Sequence, residues 1–515
     1  MPIDETISRR DFLRHGAILS GAALAAGASG LSFLKPPDAD AAIMGIGKEL
    51  RDVLNLETVN RILIEALKRG GDFADLFAEQ RFKTTIVLDD QKIDSVTYGY
   101  PRGAGVRVFF RKQTGYAFSD EIAYNDLLDA AHVASAFVLN QGTVAPVDVR
   151  PRVLTPPFSV MNPVALMNEN TKFDILRRMD AAARSVSPKV VSVRIEYQDE
   201  VRDTLIGTSD GGYAIDRQYL VSIGCSVTAL NGSDRRTGRS FLGGRVGEDY
   251  FLRRDPEAVA KDAAQQAMTL LGADPAPAGP MPVVIAPGWG GVLIHESFGH
   301  ALEGDSIRRG TSLLSGRMGQ KIGAPRLRVI DDALWPNGRG SYTVDDEGVP
   351  GQRTVLVDGG YLQSYILDRQ SAFLLNLKST GNGRRMSYRQ WPLPRMTNTY
   401  IDRGTDDPAS LLSGITKGFY AADLGGGSVD TTSGNFNFAV QLGYLIENGQ
   451  RTKPVRGAVL IGNSLETMQR IEGIGSDLQV DQTRGMCGKD GQMVPVGVGQ
   501  PTVRFASITV GGTAI

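Results

Sequence analysis

The stretch GGVLIHESFGHALEGD at 290–305 places Glu296 directly after His295 and sets His300 five residues beyond His295. Two imidazoles and a carboxylate this close are the parts of a hydrolytic metal site. Neutral imidazoles bind Zn2+ at about 2.0–2.1 Å, and a catalytic zinc takes a third protein ligand and keeps a position open for water. Such an ion acidifies water and polarises a carbonyl. A carboxylate beside the first histidine can take the water's proton and pass it to a leaving amine. Glu296 is the candidate for that base. In the familiar zinc-protease helix the histidines stand four apart. Five apart, they point about 140° from each other on an ideal helix. A regular helix would not aim both at one ion, so the segment needs an inserted residue, as in a single-turn π-bulge, or a helix that ends between them. Gly299 is expected to supply the backbone freedom for either.

Few residues can complete the set. The chain has four histidines, His15, His132, His295 and His300, and two cysteines, Cys225 and Cys487. His15 falls in the leader, and His132 on a separate helix reads as a surface or packing residue. Glu303 and Asp305 follow the motif closely and could ligate. Cys487 sits in GMCGKDGQ, flanked by Gly485 and Gly488 with Lys489 near. Glycines let a turn present a sulfur, and a cationic neighbour favours thiolate over thiol. Two imidazoles and one thiolate leave about the same +1 total as the known set of two histidines and a carboxylate. The alternatives for Cys487 are a buried thiol or a disulfide to Cys225. Cys225, in the apolar run VSIGCSVTA, reads as core.

The elements that must position these residues follow from pattern. Residues 48–71 have helical apolar spacing and end in a Gly pair; 121–140 and 174–186 are further helices. The stretches 84–119 and 190–243 alternate as strands and hairpins. A helix begins at Asp255-Pro256-Glu257, an N-cap, a first-turn proline and an acidic first turn, and ends near Gly272. Strands and helices mix without a βαβ rhythm, so the class is α+β. The proline-rich ADPAPAGPMP at 273–282 marks a linker. We expect an N-terminal α+β domain over 46–274, with an antiparallel sheet and two or more helices. A β-rich C-terminal domain carrying the metal site spans 280–515. With 515 residues and 42% hydrophobic content, two cores are affordable. The net charge of -1, from 56 basic and 57 acidic residues, gives no field that would draw nucleic acid.

Residues 1–45 form a leader. Arg9 and Arg10 precede an Ala/Gly-rich apolar stretch at 15–34, and Ala39-Asp40-Ala41 offers a small-residue cleavage site. This resembles a twin-arginine export signal and predicts a periplasmic or otherwise exported protein with no stable membrane span after its removal. Two other strings are decoys. GTSDG at 207–211 matches a nucleophile elbow in letters, but strand-like sequence follows where a helix is required. PGWGG at 287–291 lacks the lysine of a phosphate loop. No role is assigned to Arg384, Arg385 or Arg395. Addition of substrate to an exposed strand edge would give binding with little side-chain preference.

HESFGHALEGD resembles the signature of the TldD/PmbA family of zinc metallopeptidases, in its TldD-like branch. GNGRRMSYRQWPLPRMTNTY at 381–400, TKPVRGAVLIGN at 452–463 and MCGKDGQMVPVGVGQPTVRF at 486–505 are similar to further motifs of that branch, and GVRVFFRKQTGYAFSD at 105–120 to its N-terminal domain. The resemblance spans roughly residues 50–515. It implies one Zn2+ per active chain on His295, His300 and Cys487, with Glu296 as general base. It also implies hydrolysis of peptides or unfolded proteins with low sequence specificity, and dimers, either homodimers or pairs with a TldE/PmbA-like sister chain. The leader departs from the well-known members, which are cytoplasmic. The rival readings are a non-catalytic subunit or binding protein of such a pair, and a hydrolase of non-peptide amides.

Overall fold

Period-two burial builds the first sheet. In a computed structural model describing residues 48–138, 147–152 and 154–512, strands β1 (Phe73–Asp89), β2 (Lys92–Gly99), β3 (Arg102–Phe110) and β4 (Gln113–Ser119) are followed by β5 (Val190–Thr208), β6 (Gly212–Asn231) and β7 (Asp234–Gly244). They run antiparallel, in the order β4-β3-β1-β5-β6, with β2 also on β1 and β7 on β6. Leu76, Ala78, Ile86 and Leu88 share one parity along β1 and are fully buried, so they lie on one face. Helices α1 (Leu56–Ala66), α2 (Tyr124–Ala136), α3 (Glu169–Arg184) and α4 (Pro256–Leu271) cover that face. Asp255 caps α4 by accepting from the Glu257 amide, and Pro256 opens its first turn.

The helix expected over 48–71 is two. Lys48–Val53 ends, and Asn55 restarts the chain by accepting the Thr58 amide at 3.0 Å; an asparagine there caps better than it continues a helix. GTSDG is the turn joining β5 to β6, where the Ser209 hydroxyl accepts the Ala74 amide at 2.9 Å. The expected leader, with Arg9, Arg10 and His15, lies outside the described residues.

The remaining strands form separate sheets. β8 (Gly279–Ile285), β9 (Val329–Asp332), β10 (Arg353–Asp358), β11 (Asn398–Ile401), β12 (Lys417–Val429), β13 (Asn435–Glu447), β14 (Gln450–Arg456), β15 (Ala458–Asn463), β16 (Met486–Lys489), β17 (Gln492–Pro495), β18 (Gly497–Gln500) and β19 (Val503–Gly511) are the main ones. Strands β12, β8, β19, β15 and β13 pair in that order, and β13 pairs back to β12, closing a ring. A second sheet has β10-β9-β11-β18 at its centre. The proline-rich stretch expected as a linker is itself paired: Asp274–Pro275 runs parallel to Val455–Arg456. Mixed helices and antiparallel-dominated sheets make the fold α+β.

The opposite face of β1 meets the C-terminal strands through buried charge. Arg385 reaches Asp75 at 3.2 Å, Glu79 accepts the Tyr388 amide at 3.0 Å, and the Arg81 guanidinium donates to the Met386 carbonyl. Arg107 bridges Asp75 and Glu347, the latter at 2.7 Å. These contacts hold the 381–400 segment in place. From there Arg395 and Gln492 lead to the strand bearing Cys487.

Candidate metal centre

The histidine segment leaves the end of β8 and winds unevenly. Val292–Ile294 is α-helical, His295–Gly299 is one turn of π-helix, and His300–Leu302 is 3-10. The His300 amide donates to the His295 carbonyl, a five-residue step, which is the inserted-residue geometry the spacing demanded. Leu293, Ile294, Phe298, Ala301 and Leu302 bury the other side of the segment, so packing holds the irregular turn in place. Gly299 has another purpose than expected. Its φ of -53° and ψ of -58° are ordinary helix, and no special backbone freedom is used. What excludes a side chain is space: an added Cβ would lie 1.9 Å from the Met396 sulfur.

Cys487 arrives on the hairpin β16–β17. Asp490 and Gly491 take φ of 47° and 73°, the two-residue turn that Asp-Gly favours. Alternation along β16 leaves Met486 exposed and buries Cys487. Lys489 shares the Cys487 face; its ammonium lies 2.6 Å from Asp305 and 3.0 Å from Glu303. Arg395 donates to the carbonyls of Cys487 at 2.5 Å and Gln492 at 3.2 Å, fixing both strands of the hairpin.

These elements bring His295, His300 and Cys487 together, with their ligand atoms all within 4.8 Å of one another. The rings of His295 and His300 stand edge to face at 5.2 Å, and Cys487 Sγ is 3.5 Å from His300 Nε2. Tetrahedral zinc with bonds of about 2.0–2.3 Å sets its ligands roughly 3.5 Å apart. The donor set of two imidazoles and a sulfur fits that ion, and the buried His295 Nδ1 has no hydrogen-bond partner among the described residues. Glu296 Oε2 lies 3.7 Å from His300 Nε2, and its side chain is 24% exposed, so solvent reaches it.

The electrostatics set a thiolate against a charged imidazole: burial opposes protonation of His300, but Glu303 and Cys487 hold it well above its usual range, and a metal at Nε2 would displace that proton. Burial opposes ionisation of the Cys487 thiol, but the His295 and His300 imidazoles overcome it and hold the thiol well below its usual range. Burial also opposes the charged Glu303, yet Lys489 and His300 hold its carboxyl down to about 2. Ionised Glu303 sits 3.0 Å from His300 Nδ1 and would keep a proton on that nitrogen when Nε2 takes a metal. Glu303 is thus a partner of a histidine and stands outside the three-atom cluster, and Asp305 is engaged by Lys489 and Arg309. Both cysteines are free thiols and Cys225 is in the sheet core. His132 is half-exposed and pairs with Glu65 at 2.6 Å. Glu303 was expected only as a possible ligand, Lys489 only as a cation beside the thiol, and Arg395 had no role; the structure makes all three supports of the site.

Family models match three consecutive parts of the chain: PmbA/TldA metallopeptidase domain 1 over 74–136, the central domain over 162–271 and the C-terminal domain over 278–512. The chain belongs to the PmbA/TldD family of metallopeptidases. A relative in this family, the metalloprotease TldD homolog of Haemophilus influenzae, is 40% identical over 89% of this chain and 97% of its own length. The zinc metalloprotease TldD homolog of Saccharolobus solfataricus is 28% identical over 87% of this chain and 98% of its own. The crystal structure of TldE from Thermococcus kodakarensis has the same fold, with a TM-score of 0.71, 18% identity, and coverage of 88% of this chain and all of that one.

Proposed function

We propose that this chain hydrolyses peptide bonds in peptides or unfolded proteins with little sequence preference, with His295, His300 and Cys487 holding one Zn2+ and Glu296 acting as general base. The observation that carries the reading is the meeting of Cys487 Sγ with the imidazoles of His295 and His300, the latter 187 residues away in sequence, beside a solvent-accessible carboxylate. Zinc bound there would polarise the scissile carbonyl and make a neighbouring water more acidic. Glu296 accepts the proton of the attacking water on its carboxylate and hands it to the departing amine nitrogen. Glu303 keeps the His300 proton on Nδ1. Lys489 pairs with both Glu303 and Asp305 and draws the hairpin of Cys487 against the histidine segment.

The test has two arms. Chelation should abolish cleavage of an unfolded reporter protein, and stoichiometric zinc should restore it. Glu296→Gln should keep one zinc per chain while losing about 10²–10⁴-fold in rate; normal hydrolysis by that variant would overturn the assignment. A non-catalytic subunit or binding protein paired with a sister chain would have no need of the three ligands, so the metal content of the purified protein separates the two readings. Our reading includes assembly as a homodimer or with a TldE-like chain, and export by the twin-arginine route; cell fractionation with the Arg9 and Arg10 pair replaced by lysines tests the latter.

A further inference from the structure

Two elements carry the three ligand atoms, the histidine segment and the hairpin β16–β17, so the spacing between them decides where Cys487 Sγ meets the imidazoles. The hairpin is tied down along its length. At the tip, Lys489 pairs with Glu303 and Asp305. In the middle, Arg395 donates to the Cys487 and Gln492 carbonyls. At the open end, Arg384 Nη2 donates to the Pro495 carbonyl at 2.7 Å. Pro495 follows Val494, which stands directly across from Cys487.

The other arm of Arg384 reaches the histidine side. Its Nη1 donates to the Met396 carbonyl at 2.6 Å. Met396 is fully buried, and its sulfur fills the space over Gly299, the residue before His300. One guanidinium thus spans from the strand opposite the sulfur to the residue packed on the turn between the histidines. Arg384 is only 5% exposed and forms no ion pair among the described residues, whereas its neighbour Arg385 meets Asp75 at 3.2 Å. A buried cation without a bonded counter-charge costs free energy. Burial disfavours its charge, and Tyr342, Asp346 and Cys487 favour it. The Tyr342 ring lies 5.4 Å from the guanidinium carbon, and its hydroxyl donates to the Gly381 carbonyl at 2.6 Å, so the ring that backs the fork is itself fixed. A planar fork with donors in set directions can hold two carbonyls on different segments, which an ammonium on a flexible stem cannot.

We propose that Arg384 is a positioning residue for the metal: by bridging the Met396 and Pro495 carbonyls it holds Cys487 at the separation from His295 and His300 that a shared ion requires. This rests on the reading of those three residues as a zinc site, and it gives a part in metal binding to a side chain that is not a ligand.

The parent protein, Arg384→Met and Arg384→Lys test it. Zinc affinity is read by competition with a chromophoric chelator. Cobalt(II) in place of zinc reports the sulfur, since a thiolate ligand gives a near-ultraviolet charge-transfer band that imidazoles do not. Melting temperatures with and without zinc report the fold. Arg384→Met should weaken zinc about 10–100-fold and lose most of the charge-transfer band. Arg384→Lys keeps the charge without the fork, so it too should bind zinc more weakly; its closer match in size and charge keeps the test decisive where the methionine variant does not fold. A purely structural residue would lower the metal-free and zinc-loaded melting temperatures alike and leave affinity and band as in the parent. That result in either folded variant overturns the proposal while the zinc site stands. A parent that takes up no metal, or takes up cobalt without the band, overturns the zinc-site reading itself and this proposal with it.

Discussion

Replacing Gly299 by alanine asks why the π-turn carries a glycine. The backbone there is helical, so alanine should gain up to about 1 kcal/mol from helix propensity alone. Against this, the new Cβ would sit 1.9 Å from Met396 Sδ and 2.9 Å from its Cε. Met396 is fully buried, and its thioether has no solvent to retreat into. Separating the two carbons and sulfur to ordinary contact requires a shift of roughly 2 Å, and overpacking on this scale costs about 1–3 kcal/mol. The net expectation is a loss of about 1–2 kcal/mol. Because His300 is the next residue, the displacement should also weaken zinc binding tenfold or more, comparable to loss of a ligand's supporting contact. Urea unfolding of the metal-free protein and competition against a chromophoric chelator measure the two effects. Met396→Ala costs stability by itself, but in the double variant the clash is gone. The pair should then be less destabilised than the sum of the singles by about 1–3 kcal/mol. Strict additivity, or a Gly299→Ala protein that unfolds and binds zinc like its parent, would refute the steric argument.

Other consequences follow from single contacts. Glu303→Ala removes the acceptor of the His300 Nδ1 proton and should weaken zinc about 10–100-fold in the same chelator assay without altering zinc stoichiometry at saturation. Glu200, between Arg81 and Lys83, has its carboxyl held down to about 2 although burial opposes this, against an ordinary value of about 4.3. A depressed carboxyl contributes stability above its unfolded pKa, and that share is lost as pH falls from about 4.5 toward 2. The full shift would be worth about 3 kcal/mol; with the side chain 18% exposed, solvent screening reduces this to about 1–2 kcal/mol. Melting temperature followed from pH 6 to 3 should fall less steeply in Glu200→Gln than in the parent. Thiol titration of the denatured, unreduced protein should find both Cys225 and Cys487 free; a Cys225–Cys487 disulfide would leave neither.

What could be read from the sequence was local. The five-residue interval between His295 and His300 cannot face one point on a regular helix, so an irregular turn followed from geometry alone, and the His300-to-His295 amide bond is that turn. Asp255 and Pro256 were legible as a helix start for the same reason: capping involves neighbours. The turn was expected at Cys487 itself, between Gly485 and Gly488, whereas Cys487 lies on strand β16 and the chain turns at Asp490-Gly491. What could not be read depends on contacts across the chain. Gly299 looked like a hinge because a glycine's freedom is visible in sequence, whereas the Met396 sulfur that denies it a side chain lies almost a hundred residues later and becomes a neighbour only after folding. Glu303 and Asp305 were ranked as possible ligands because proximity in sequence was the only measure. Lys489, brought in on the Cys487 hairpin, takes both carboxylates and turns one into the support of a histidine. The closed ring of β12, β8, β19, β15 and β13 was equally hidden, since its last pairing, β12 with β13, is a local hairpin that closes a circuit made of distant ones. The same dependence makes the site sensitive at a distance. Asp75 and Glu79 on β1 hold Arg385 and Tyr388, the segment between them donates the Met386 amide to Gln492, and Gln492 stands across the hairpin turn from Lys489. A buried charge removed from β1, about four hundred residues before Cys487, should therefore loosen the strand that carries the sulfur before it unfolds the sheet.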